Sequence, residues 1–123
     1  MKTKQPKFPF FVSTLPRELT THEREVVKRL LEKAEPGYIL QVEGLKVVGR
    51  CSCGQCPIVF FESHVPGVPE YDLSTYAGKD QEGGLVAAVL LQRQGRLSQL
   101  EFYSIDGHDP WYPPKAHDLE PYA

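Results

Sequence analysis

Residues 84 to 104 read GLVAAVLLQRQGRLSQLEFYS, and the organisation of the chain follows from how this stretch is read. The run GLVAAVLLQ (84–92) is apolar on both faces. That pattern predicts a strand buried on both sides, hence a central one with a helix over one face and further cover on the other. In LSQLEFYS (97–104), Leu100 and Phe102 alternate with Gln99 and Glu101, the period-two pattern of a half-buried or edge strand. Arg93-Gln94-Gly95-Arg96 joins the two as a hairpin.

A second hairpin lies upstream. From Leu45, Val47 and Gly49 to Cys51 and Cys53, alternate residues share one face, and PIVFFE (57–62) reads as the returning strand. Cys53-Gly54-Gln55-Cys56 between them predicts a type II′ turn, because glycine accepts the positive φ that turn requires. The implied register sets Cys53 opposite Cys56, Cys51 opposite Ile58 and Gly49 opposite Phe60, where a ring would cover the space the glycine leaves.

Before this hairpin, TTHEREVVKRLLEKA (20–34) predicts an amphipathic helix. Thr20 and Glu23 form a capping box, and Leu19, Val26, Val27, Leu30, Leu31 and Ala34 fall on one face. Pro36-Gly37 ends it, and YILQV (38–42) reads as a short second helix in preference to an edge strand. Residues 63–83 hold Pro66, Gly67 and Pro69 with no sustained period, so part of the segment, such as EYDLSTY, is expected to form an irregular strand or a functional loop. The Pro-rich IDGHDPWYPPKAHDLEPYA at the end suits an extended arm. The expected fold is therefore α+β: an antiparallel sheet of about four strands with the N-terminal amphipathic helix packed on one face. One domain spans 1–123, with arms at 1–16 and 105–123.

Composition narrows the classes. The chain of 123 residues is 41% hydrophobic and 24% charged with a formal net charge of −2, which fits a single globular domain and argues against disorder. Basic residues are scattered apart from Lys2, Lys4 and Lys7, so no nucleic-acid footprint is expected. Pro9 interrupts the short apolar run near the start and no cleavage site follows, so no secretory signal is expected. No stretch approaches the roughly 18 apolar residues of a spanning helix. Three cysteines, an odd number, suit a reducing cytoplasm better than a disulfide framework.

GRCSCGQCPIVF and LSQLEFYSIDGHDPW together resemble a family of small bacterial proteins of unknown function. Its members carry a capped amphipathic helix, a Val-Val-Gly strand leading into a cysteine cluster, a Gly-Arg-Leu-Ser hairpin and a Pro-rich ending. The resemblance spans about residues 15 to 121 and implies a single α+β domain without bringing an activity. The family's cysteines are packed more closely, and Gln55 stands as an insertion relative to them.

The CSCGQC cluster (51–56) allows three readings. A structural zinc needs four ligands, so Cys51, Cys53 and Cys56 would require a histidine, with His64 the nearest in sequence and His108 and His117 the others. A redox pair of Cys53 and Cys56 would be strained across a two-residue turn and would lack the helix N-terminus that usually activates such a motif. The residues favour the third reading, small apolar side chains buried beneath the helix. His108-Asp109 and His117-Asp118 are expected to be surface polar pairs, and His22 solvated; no catalytic motif appears.

The aromatic arms are the other feature. Trp111 and Tyr112 at one end and Phe10 at the other, with Phe8, Phe11 and Tyr122, either seal the core or anchor a partner. The leading functional expectation is a non-enzymatic protein-interaction module, in the manner of an immunity protein, that needs no cofactor. The competing one is a zinc-binding or thiol-redox protein centred on the cysteine cluster.

Overall fold

In the computed structural model, which describes residues 11–53 and 57–122, the decisive stretch forms the expected hairpin of β5 (Leu85–Arg93) and β6 (Arg96–Ser104). Gln94 and Gly95 close it with φ of 53° and 80°, the left-handed conformation that a tight hairpin turn demands at both central positions. β4 (Tyr71–Lys79) pairs with the free edge of β5, and β3 (Val59–Phe61) with that of β6. β2 (Lys46–Cys51), β1 (Phe11–Glu18) and the two-residue β7 (Glu120–Pro121) complete one antiparallel sheet in the order β1-β2-β3-β6-β5-β4-β7.

The seven strands overturn the expected four-stranded sheet with an N-terminal helix. β1 precedes the helix, and its Pro16 and the Pro121 of β7 sit on the two edge strands, the places where a missing N–H costs no ladder bond. A register shift between Ser13 and Arg17 takes up the proline in β1. β4 is the irregular strand that EYDLSTY suggested, with a shift between Asp72 and Ser74. β6 is no edge strand but the middle of the sheet, since β3 pairs with it on the side away from β5.

Two short α-helices are present among the described residues: α1 (Thr21–Leu30) and α2 (Pro36–Ile39), the latter followed by a 3-10 turn at Val42–Gly44. The capping box of α1 forms as the sequence predicts, Glu23 N donating to Thr20 Oγ1 at 3.0 Å and Thr20 N to Glu23 Oε1 at 2.9 Å. Arg17 of β1 clamps the same carboxylate through two 2.9 Å bonds. Val26, Val27 and Leu30 of α1 are buried with Phe61, Leu90, Leu97 and Leu100 of the sheet in the main core.

Because successive strand residues face opposite ways, Phe60 lies on the other side of the sheet from Val59 and Phe61. There it packs with Cys51, Ile58 and Phe11 in a separate, smaller cluster. Gly49 pairs with Phe60 as expected, but the ring that fills its space is Phe11 of the neighbouring strand: a Cβ at Gly49 would stand 2.0 Å from Phe11 Cε1. Cys51 therefore belongs to the helix-free face, not beneath the helix.

The C-terminal arm is fastened across α1 and β4. Arg29 donates to Leu119 O through Nε and Nη2 at 2.9 and 2.7 Å. Gly78 gives the arm room, since a Cβ there would be 2.3 Å from Asp118 O. His22 is not free in solvent: its Nε2 is 2.9 Å from Pro114 O and its ring stacks on Phe102. No helix of the described residues is long and apolar enough to cross a membrane.

Candidate functional site

The helix-free face carries a cleft of about 380 Å³ beside the middle of the sheet. Phe60 (β3), Gln99 and Glu101 (β6) and Leu91 (β5) line its sheet side, and residues 64–70 form the opposite wall. That wall is built by a tight turn: Val68 N donates to Val65 O at 3.1 Å and Gly67 has φ of 81°. Pro66 followed by a positive-φ glycine is the residue pair a type II turn selects. Ser63 Oγ donates to Leu97 O at 2.7 Å and ties the start of the loop to β6.

His64 and Glu70 close the two ends of this loop on each other. His64 Nδ1 hydrogen-bonds to Glu70 Oε2, and the two side chains are 11% and 6% exposed. The imidazole also meets Phe60 and Phe11 at centroid distances of 4.4 and 5.1 Å, while those rings pack edge to face at 5.2 Å. One ring nitrogen, the two aromatic neighbours and the short loop thus hold His64 in place.

Glu101 gives the cleft its charge. It accepts from Gln99 Nε2 at 2.9 Å. Partial burial, reinforced by the nearby Asp72 and Glu70 carboxylates, holds its carboxyl above the ordinary glutamate range. No cationic side chain of the described residues forms an ion pair with Glu101 or Asp72. A half-buried carboxylate among like charges, between apolar walls that include Phe60 and Leu91 on one side and Val68 and Pro69 on the other, is an unbalanced negative site in an apolar setting.

A second cluster joins the tail to the β4–β5 turn. His108 Nε2 bonds to Asp80 Oδ2 at 2.9 Å and His108 Nδ1 to Asp106 Oδ1. Asp80 also accepts from Tyr112 N at 2.8 Å, Glu82 N at 2.9 Å and Gly84 N at 3.0 Å, and its side chain is wholly inaccessible. Burial pushes the Asp80 carboxyl up, but the His108 bond and the three backbone donors outweigh it and bring it down to about 2. The Leu85 amide and His108 likewise hold Asp106 below the usual carboxylate range. The two carboxylates in turn raise His108. His108 is expected at the surface beside Asp109; it pairs instead with Asp106, two residues back, and with the distant Asp80. His117 and Asp118 do form an exposed pair, at 3.5 Å.

Of the zinc candidates, Cys51 Sγ donates to Cys53 Sγ at 3.2 Å, and Cys56 lies outside the described residues. Among the described residues no three His, Cys, Asp or Glu side chains are placed to hold a metal ion. The expected strand run through Cys53 stops at Cys51, and a turn follows. Of the aromatic candidates, Trp111 is half-buried against the main core, Tyr112 is exposed, and Phe10 lies outside the described residues.

Sequence reasoning missed Glu70, Glu101 and the His108 cluster. Val65-Pro66-Gly67-Val68 was a usable turn signal that would have folded His64 back towards Glu70; nothing local marked Glu101 or Asp80. Comparison with protein-family models, with curated proteins and with solved structures finds no match for this chain.

Proposed function

We propose that this chain is a non-enzymatic, cytoplasmic protein-binding module, and that its docking site is the cleft of the helix-free face. The partner presents a lysine or arginine side chain. The observation that carries this reading is Glu101, a half-buried carboxylate flanked by Asp72 and Glu70 and without a cationic partner among the described residues. A basic side chain would balance that charge, and its aliphatic stem would lie on Phe60, Val68 and Leu91. Tyr103, 44% exposed, lies two residues along β6 from Glu101 on the same face and extends the contact surface. Trp111 serves mainly as an anchor of the tail, which moves the aromatic contribution from the arms to the sheet.

The test is a titration of the isotope-labelled protein with the acetylated, amidated peptide Ala-Leu-Arg-Leu-Ala and with its citrulline analogue, which keeps the shape and loses the charge. The arginine peptide should perturb amides of residues 60–70, 91 and 99–101. Glu101→Gln should weaken it by about ten- to a hundredfold, as expected for a charged hydrogen bond worth roughly 1.5–3 kcal/mol. An equal response to the citrulline peptide, or perturbation confined to another surface, would sink the proposal.

A further inference from the structure

The cysteine cluster stands outside that cleft function, and its geometry points elsewhere. In a regular strand, residues two apart share a face but are separated by roughly 6.6 Å along it, too far for two thiols to touch. β2 ends at Cys51, and the turn at Ser52 and Cys53 folds the chain back. Cys51 Sγ and Cys53 Sγ consequently stand 3.2 Å apart. The turn, not the strand, makes them a pair.

Their environments differ. Cys53 is exposed, whereas Cys51 is 5% exposed and walled by Ile58, Phe60 and Phe11. A reagent in solution reaches Cys53 first, and the Cys51 thiol, 3.2 Å away, stands within immediate reach of an adduct formed there. Exposed attacking thiol beside sheltered resolving thiol is the arrangement in which oxidation stops at a disulfide and does not run on to sulfinic acid. The sulfurs need to approach from 3.2 Å to about 2.05 Å to bond. A disulfide spanning one intervening residue is constrained and correspondingly easy to reduce.

We propose that Cys51 and Cys53 form a hydroperoxide-oxidisable dithiol. The Cys53 thiolate attacks the terminal peroxide oxygen, the O–O bond breaks, and the departing oxygen leaves as water or an alcohol after taking a proton. The resulting Cys53 sulfenic acid is attacked at sulfur by Cys51; the S–O bond breaks and water leaves. Two thiols together lose two electrons and two protons, and the peroxide gains them. A small dithiol returns the pair to the reduced state by thiol–disulfide exchange. The site lies one side chain, Phe60, from the cleft, and it does not depend on what the cleft binds.

The experiment treats the reduced full-length chain with a few equivalents of hydrogen peroxide, blocks remaining thiols by alkylation, and reads intact mass and fragmentation of the digest. The product should be about 2 Da lighter than the starting protein before alkylation. It should retain one alkylatable thiol of the three, carry its link between Cys51 and Cys53, and revert with dithiothreitol. Cys56→Ser should close at a rate within about twofold of the parent. Cys51→Ser in the Cys56→Ser background should instead accumulate sulfenic and sulfinic acid at Cys53. Fragmentation of the parent assigns the link without any substitution, so a variant that folds poorly leaves the test intact. A link through Cys56, a bond between chains, or closure that occurs only in denaturant would overturn the proposal.

Discussion

The tail and the cleft each set a histidine among carboxylates, aspartates in the first and glutamates in the second, and they end in opposite states. At the tail, both ring nitrogens of His108 are engaged by Asp80 and Asp106, and the remaining oxygen capacity of Asp80 is filled by three backbone amides. At the cleft, His64 takes one carboxylate, Glu70, and among the described residues the next acidic group, Glu101, accepts from the Gln99 amide without a cationic partner. A cluster whose polar groups are all satisfied holds structure together. One left with an excess charge against an apolar wall is free to recognise something.

The largest way to break this contrast is through the tail. Gly84 leaves space for the His108 ring, whose edge would be 2.0 Å from a Cβ, and that ring is pinned from both sides. Gly84→Ala should therefore destabilise the protein by about 1–3 kcal/mol, the usual range for forcing extra volume into a packed site. Urea denaturation followed by circular dichroism reads it. An unchanged midpoint would mean the His108 ring yields freely and the cluster is not the fastening described above.

The pH dependence sharpens the contrast by sign. His108 is raised in the folded state, so its contribution is full below the unfolded value of about 6.5 and fades as pH climbs through the raised folded value. Asp80, at about 2, and the lowered Asp106 contribute fully above about 3.9 and fade as pH falls below it. The tail cluster is thus most stabilising between about pH 4 and 6.5. Glu101 is a raised carboxyl and runs the other way: whatever stability its protonated form supplies at low pH is lost as pH rises through its folded value. Denaturation midpoints across pH 2–9 for the parent and His108→Gln check the first claim; a variant curve parallel to the parent's would contradict it.

The smallest expected stability effect is at the cleft. Glu101→Gln removes a charge that burial and two neighbouring carboxylates disfavour, so at neutral pH the variant should be as stable as the parent or up to about 0.5 kcal/mol more so. The same substitution should cost peptide affinity, so stability and binding would move apart. A clear loss of stability would place Glu101 with the structural groups of the tail.

What could be read from the sequence was local. The capping box of Thr20 and Glu23, the apolar face of α1, the hairpin of β5 and β6 and the Gly49–Phe60 register each depend on residues a few positions apart, or on a period that a helix or strand imposes. Tertiary structure alone decided the size of the sheet. Pro16 and Pro121 argued against strands until edge positions made their missing amides harmless, and β6 read as half-buried until β3 lay beside it. It also decided the long-range polar pairs. Asp80 meets His108 across 28 residues and Glu101 lies near Glu70 across 31, and neither pair has a local signature. Cys51 and Cys53 were two positions apart in the sequence, yet their contact comes from where the strand stops, because two thiols on a regular strand cannot touch.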